Sequence, residues 1–284
     1  PPIHHAIVWQ WGWDDLEDQA MRKMTLTAAA AMISCVGAAQ ADTFFVFQEE
    51  TMYRFELGGP VSDFDLGRTL ISSSFDDTGR LVGFEARSRT SEHIRPAYEV
   101  LGAFGGAPAV SQLDDGLDIA VSSLTYINGR AFGVDTDNNL HEFDATTLAD
   151  MGIVGNLGFT SNGLGYDAVN DVLYSIDKNS DLLHTIDYTD ASSSVIGSLG
   201  IDVENAGAEF FNGTLYTSVQ NNATGMLEIG TIDTSTGAFT SLQTLASFPD
   251  PNLERLVLSM AVIPTPSSMM LLGLGGLVAA KRRR

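Results

Sequence analysis

A pair of short apolar strands joined by a polar turn recurs along this chain, and this repetition limits the chain to few folds. The copies are Thr43–Phe47 with Met52–Glu56, Gly79–Glu85 with about Tyr98–Val100, Gly129–Asp135 with Leu140–Asp144, Asp171–Asp177 with Leu183–Asp187, and Gly213–Val219 with Leu227 and Thr231–Asp233. Their acidic strand ends fall at residues 56, about 100, 144, 187 and 233, which gives a period of 43–46 residues. Runs of Val, Ile, Phe and Tyr between turns of Asn, Asp, Ser and Gly indicate an all-β protein.

A period of this length, with four strands in each unit, is typical of β-propeller blades. Copies continue into a further strand and a glycine exit, as in Ile153–Gly158 and Val195–Gly200. The first copy lacks the strand that the third copy has at Leu124–Ile127, whereas Arg255–Val262 is a strand without a blade of its own. Pairing the two ends would close the ring and remove exposed strand edges. The sequence therefore predicts about five blades over residues 42–262, with a six-bladed ring or an open β-solenoid as alternatives.

The C-terminal residues combine three elements in order. Pro264-Thr265-Pro266 precedes an apolar stretch, Met269–Ala280, predicted to form a short helix, and the chain closes on the basic cluster Lys281, Arg282, Arg283 and Arg284. Twelve helical residues span about 18 Å against a hydrocarbon core of about 30 Å, so a permanent transmembrane helix would be badly mismatched. This tail resembles the PEP-CTERM sorting signal of Gram-negative bacteria, with Thr265 where that motif has Glu. The resemblance implies that an exosortase-like membrane peptidase handles residues 263–284 and that the protein reaches the cell envelope or extracellular matrix.

The N-terminal region indicates export. Met21-Arg22-Lys23 supplies positive charge, a small-residue apolar core follows, and Ala39-Gln40-Ala41 forms an A-x-A cleavage site. This order is that of a secretory signal peptide over residues 21–41, recognised by the secretion translocon and by signal peptidase. We interpret residues 1–20 as belonging to a start site assigned too early. The alternative at this end is a lipobox that would acylate Cys35.

The protein that remains after both ends are removed is strongly acidic. Residues 42–266 hold nine Lys and Arg against 32 Asp and Glu, a net charge of about −23. Such a surface repels phosphate backbones, so nucleic acid is not an expected partner. The one cysteine, Cys35, lies in the predicted signal peptide, and disulfides or thiolate ligands are therefore not expected in the mature protein.

One turn has the residue types of a calcium loop. Asp135, Asp137 and Asn139 have the right spacing, but Leu140 stands where the loop needs glycine and Thr146 where it needs a bidentate Glu. A hairpin turn between two repeat strands is the simpler interpretation. Ca²⁺ is therefore only a weak expectation, and no other cofactor is predicted.

Two histidines occupy equivalent repeat positions and could converge in a ring. His141 and His184 stand where other copies have Tyr53 and Glu228. Two imidazoles with a carboxylate would make a metal site. The period-2 pattern, however, sets these residues opposite the apolar face of their strands, so we expect half-exposed strand histidines instead.

The sequence contains no nucleophile elbow, zincin helix or phosphate-binding loop, and no catalytic residue is predicted. We expect a non-enzymatic binding or structural module that is anchored transiently in the inner membrane before delivery to the envelope or matrix. Its expected ligands are extracellular polysaccharide, ions or another protein. The alternative is a secreted propeller lyase or hydrolase acting on polysaccharide, which would gather His, Tyr, Arg and acids at one mouth of the ring.

Overall fold

The computed structural model of the protein describes residues 42–86, 95–114, 116–247 and 258–264. These ranges contain twenty strands, and none of their residues is helical. In chain order the strands are β1 (Asp42–Gln48), β2 (Thr51–Glu56), β3 (Ser62–Asp65), β4 (Leu70–Phe75), β5 (Leu81–Glu85), β6 (Ala97–Leu101), β7 (Ala109–Gln112), β8 (Val121–Ile127), β9 (Arg130–Asp135), β10 (Asn139–Phe143), β11 (Asp150–Asn156), β12 (Ser161–Asp167), β13 (Val172–Asp177), β14 (Leu182–Ile186), β15 (Ser193–Ser198), β16 (Val203–Phe211), β17 (Thr214–Asn221), β18 (Met226–Ile232), β19 (Phe239–Ser247) and β20 (Leu258–Pro264).

The strands form five antiparallel sheets of four strands each, which we number as blades 1 to 5. Blades 2 to 5 are β4–β7, β8–β11, β12–β15 and β16–β19, each in chain order, whereas blade 1 has the order β20-β1-β2-β3. The first strands of the blades, β20, β4, β8, β12 and β16, contact one another in a closed ring. The prediction of a five-bladed β-propeller is therefore confirmed, and the six-bladed and open-solenoid alternatives are wrong.

The two ends of the propeller are joined by the last strand. β20 pairs with β1 along its whole length, from Asp42 opposite Pro264 to Gln48 opposite Leu258. The predicted closing strand ran from residue 255 to 262, and residues 255–257 lie outside the described ranges. Because β20 supplies the inner strand of blade 1, the ring is complete only with residues 258–264, the last of which belongs to the predicted sorting motif.

The propeller has two faces, which follow from the strand directions. Each blade's second strand turns into its third on what we call the upper face, and the short connections between blades, such as residues 157–160, lie there too. The turns from first to second and from third to fourth strands form the lower face. Asp42 and Pro264 are paired at this lower face. Residues 42 and 264, the first and last described residues, therefore lie together at the lower edge of blade 1.

Apolar side chains fill the spaces between neighbouring blades. Phe45 and Phe47 of blade 1 pack with Leu70 and Leu81 of blade 2. Comparable clusters join the other blades around the ring, so both faces of each sheet are covered. This explains inner strands such as β12, in which every residue is buried instead of every second one.

The axis of the propeller is lined by small residues that let five strands meet. A methyl group placed on Gly207 would come within 2.8 Å of the Ser259 Cα, so only glycine fits there. The hydroxyls of Ser73 and Ser259 lie 2.9 Å apart, and the remaining axial cavity of about 10 Å³ has room for about one water molecule. Glu209 of β16 is partly exposed to solvent when the whole residue is considered. Its Oε2 atom, however, is buried and has no hydrogen-bond partner within the described residues.

Much of the acidic composition serves the turns. Asp144, Asp187 and Asp233 directly follow the third strands of blades 3, 4 and 5, and each accepts backbone N–H hydrogen bonds from residues two or three positions further on. Asp is favoured in such turns because its carboxylate mimics a backbone carbonyl. The hydroxyls of Thr189 and Ser235, followed by backbone N–H groups, lower the pKa of Asp187 and Asp233, and the backbone N–H and hydroxyl of Thr147 lower the pKa of Asp144. The acidity of the chain is therefore in part a consequence of its repeated turns.

Within the described ranges, no helix combines the length and the apolar character that crossing a membrane requires. The predicted cleavage residues Ala39 and Ala41, the motif residues Thr265 and Pro266, and the basic cluster 281–284 all lie outside the described residues.

Candidate functional site

His141 lies between two carboxylates inside blade 3. Its Nε2 atom is 3.0 Å from Asp135 Oδ2 at the end of β9, and its Nδ1 atom is 3.0 Å from Asp150 Oδ1 at the start of β11. The side chain is buried, so the expectation of a half-exposed histidine is wrong. A neighbouring blade covers the strand face that the sequence pattern would leave in water.

The hydrogen bonds of this array engage both nitrogens of His141, one with each carboxylate. Burial alone would raise the pKa of Asp135, but the hydrogen bonds from Asn139 and His141 outweigh burial and lower it.

The loop from Asp135 to Asn139 is a hairpin turn, as the simpler interpretation held. Asp135 Oδ1 accepts the backbone N–H groups of Asp137 at 2.9 Å and Asn139 at 2.8 Å, while Oδ2 accepts from the Asn139 amide and from His141. Both oxygens of Asp135 are thus engaged within the protein. Asp137 is exposed and does not join them.

His184 has the same place in blade 4 but different surroundings. It is buried as well, which again corrects the expectation of half-exposure, and its ring stacks on Phe159 with the centroids 4.0 Å apart. Neither ring nitrogen has a hydrogen-bond partner in the described part of the chain. Burial lowers the pKa of His184, and the charge of Asp177 opposes this only in part. His184 is therefore a neutral, packed side chain at neutral pH.

The position of these histidines carries a polar pair in every blade. In each blade the third-strand residue is paired in register two positions before the end of the second strand, and it lies beside the last residue of that strand. The pairs are Tyr53 with Gln48 at 3.3 Å, Tyr98 with Glu85 at 3.3 Å, His141 with Asp135 at 3.0 Å, His184 beside Asp177 without a hydrogen bond, and Glu228 with Asn221 at 3.0 Å. The histidine coincidence is thus one instance of a repeated structural pair near the upper face.

The structure does not bring the two histidines together. His141 is bonded to two carboxylates of blade 3, whereas His184 stacks on Phe159 in the connection between blades 3 and 4. Across residues 42–86, 95–114, 116–247 and 258–264, no group of three or more His, Cys, Asp or Glu side chains is arranged to hold a metal ion. A cavity of about 160 Å³ near this position is lined by Asp135, Asp137, Asp118 and Arg95, but not by His141.

A groove on the lower face of blade 4 was not anticipated from the sequence. It has a volume of about 470 Å³ and runs from the first turn of the blade to its third and fourth strands. Its most unusual residue is Asp171, which adopts a left-handed backbone conformation with φ of +56°. The available signal was a departure from the repeat, because blades 3 and 5 have Gly129 and Gly213 at the corresponding turn.

Comparison with known proteins identifies the fold but no family. No protein-family model matches the chain, and no curated protein matches it. The chain is similar to a crystal structure titled as a nidogen/laminin complex, with a TM-score of 0.50, 10% identity, and coverage of 78% of this chain and 98% of that chain. A protein of unknown function from Bacteroides caccae has a TM-score of 0.47 and 10% identity over 79% of this chain and 99% of its own. At 10% identity, the similarity to the nidogen/laminin structure concerns the fold alone.

Proposed function

We propose that this propeller is an exported, non-enzymatic binding module that an exosortase-type system delivers to the cell envelope or extracellular matrix. The proposal combines the export and sorting signals of the sequence with one structural observation. β20 ends at Pro264, the first residue of the predicted sorting motif, and pairs there with Asp42, the first residue after the predicted signal peptide. Both predicted address segments would therefore join the propeller at blade 1.

Processing at the motif is compatible with this fold. All seven residue pairs between β20 and β1 involve residues up to Pro264. Cleavage after Pro264 would remove residues 265–284 and leave the ring closed. The same geometry allows a re-anchored protein to display an intact propeller.

The polar clusters inside the blades support binding over catalysis. Both nitrogens of His141 are bonded to carboxylates, and His184 is sealed against Phe159. A general base must reach the proton that it abstracts, either directly or through one water molecule. His141 would have to leave Asp135 to do so. These groups therefore act as structural pairs within the blades.

A polysaccharide lyase or hydrolase is the second candidate, and one observation favours it. Asp135 is bonded to His141 and also lines the cavity of about 160 Å³ with Arg95 and Asp118. An enzyme acting there would lose its activity in His141→Asn while retaining its fold. Release of reducing or unsaturated ends from acidic and neutral polysaccharides would be measured with both proteins.

Export and sorting are tested with the full-length chain in a Gram-negative host that has an exosortase, and in a derivative lacking it. We expect a mature N-terminus at Asp42 in both hosts, and loss of the C-terminal segment only where exosortase is present. Intact-mass spectrometry of envelope and medium fractions measures both ends. A protein that stays in the cytoplasm with residues 21–41 attached would refute the proposal.

A further inference from the structure

Blade 4 departs from its neighbours at the turn between its first two strands. Blades 3 and 5 use the two-residue turns Asn128-Gly129 and Asn212-Gly213, whose glycines both have φ of +79°. Blade 4 has a four-residue connection that ends in Asp171 with φ of +56°. Residues with a side chain rarely occupy this region, although Asp and Asn tolerate it better than most. The chain thus places a carboxylate where its sister blades need only glycine.

Two tyrosines hold this carboxylate in one orientation. Tyr166 of β12 donates a hydrogen bond to Asp171 Oδ1 at 2.7 Å, and Tyr188 donates to the same oxygen at 2.8 Å. Asn128 in turn donates to the Tyr166 hydroxyl at 3.2 Å. The hydrogen bond from Tyr166, followed by that from Tyr188, lowers the pKa of Asp171 and keeps it ionised. Since both phenols use Oδ1, Oδ2 is the oxygen left for a ligand.

Most side chains that line the groove around Asp171 carry oxygen, and Val172 and Ile186 add an apolar part. Besides Asp171, the oxygen-bearing residues are Thr185, Asp187, Tyr188, Thr189, Ser192 and Ser194. Asp187 is oriented by the backbone N–H and hydroxyl of Thr189, at 2.9 and 2.6 Å. No Lys or Arg contributes to the lining. The volume of about 470 Å³ is within the range of small-molecule pockets.

We propose that this groove binds a neutral saccharide unit, with Asp171 as its central acceptor. Sugar hydroxyls donate to carboxylates and accept from Ser, Thr and Tyr hydroxyls, so a polyol can use both kinds of group in the lining. Uronic acids and phosphates would be repelled by Asp171 and Asp187. A simple ammonium group could donate to the carboxylates but has no acceptor for the O–H groups of the lining, whereas a sugar hydroxyl has both. The inference rests on the proposed function, because it identifies the ligand class of an exported binding module.

The test uses the full-length chain purified in detergent and an array of neutral, uronic-acid and amino-sugar oligosaccharides. Titration calorimetry with the best neutral oligosaccharide then compares three variants with the native protein. Asp171→Gly restores the residue of blades 3 and 5, so it removes the acceptor at a position where the fold accepts glycine. Tyr188→Phe removes one orienting phenol. Asp233→Asn, at the blade 5 counterpart of Asp187 and outside the groove, is the control.

We expect binding of neutral oligosaccharides, a loss of affinity of about tenfold or more in Asp171→Gly, a smaller loss in Tyr188→Phe and no change in Asp233→Asn. Circular dichroism melting checks that each variant is folded. The inference is overturned if no neutral oligosaccharide binds, if uronic-acid or amino sugars bind instead, or if folded Asp171→Gly binds like the native protein. Each of these outcomes leaves the export proposal intact, whereas failed export leaves the binding result standing.

Discussion

Removal of the last strand should prevent the propeller from folding, although that strand is seven residues long. β20 contributes Leu258, Met260, Val262 and Ile263 to the interior, and each is at most 7% exposed. Full burial of such a side chain stabilises a protein by about 1.5–3 kcal/mol, so the four together contribute about 6–12 kcal/mol. The whole stability of a domain is about 5–15 kcal/mol. A chain ending at Asn252 should therefore lack a cooperative fold.

A chain ending at Val262 is the matched control. It keeps the five register pairs from Phe44 opposite Val262 to Gln48 opposite Leu258, and loses only the last two. We expect chains covering 42–262 and 42–264 to unfold cooperatively in urea and to elute as compact monomers. A synthetic peptide of residues 253–264 should restore cooperative unfolding to the chain 42–252 by adding the missing strand.

Urea unfolding followed by circular dichroism and fluorescence measures these chains, because the slope of the transition scales with the surface exposed on unfolding. The reasoning fails if the chain 42–252 unfolds with the same midpoint and slope as 42–264. It also fails if the peptide binds without changing the transition. Either result would mean that the propeller is stable without the strand pairing and burial that β20 contributes.

Two further predictions concern buried titratable groups. Burial lowers the pKa of His184, so protonation below the usual value of 6.5 favours the unfolded chain. The variant His184→Phe keeps the ring stack on Phe159 but cannot be protonated. The difference in unfolding free energy in favour of His184→Phe should therefore grow as the pH falls from 7.5 to 5. Equal pH dependence of the two proteins would contradict this. Burial raises the pKa of Glu209 to about 8, and a hydrogen bond from Ser74 opposes this rise in part. The native protein should therefore lose stability relative to Glu209→Gln as the pH rises from 4.5 to about 8. Above that range the difference in stability should not change further. Urea titrations across this range measure the difference, and a constant gap would refute the buried-acid interpretation.

The strand pairs within blades were predictable from local pattern, and the ring closure was predictable because one strand was left unpaired at each end. Apolar runs such as Leu183–Asp187 are separated by Asx and glycine turns, and the surplus strand at the C-terminus had one unpaired partner at the N-terminus. The observed pairing of β20 with β1 confirms that inference. Local pattern sufficed within the blades because antiparallel neighbours in a blade are also neighbours in sequence.

The burial of His141 and His184 was not predictable from the same pattern. A period of two separates an apolar from a polar strand face only where one face meets water. In this fold both faces meet another blade, so the polar residue opposite the apolar face is also covered. The neighbours of each buried histidine then determine whether it is hydrogen-bonded. Asp135 and Asp150 bond to His141, whereas Phe159 offers His184 only a packing surface.

Comparison of equivalent positions separates what the fold requires from what it does not. Every blade has two polar residues at the positions of Asp135 and His141, although the residue types differ. This pair is therefore a feature of the repeat and does not point to a binding or catalytic site in blade 3. Asp171 has the opposite character, because its sister blades have glycine and the left-handed conformation disfavours a side chain. Asn128, Asn212 and Asp181 also adopt the left-handed conformation in turns, so the conformation alone does not distinguish Asp171. What distinguishes it is a carboxylate that two tyrosines orient into a groove, and substitution by the sister-blade glycine separates ligand binding from a role in folding.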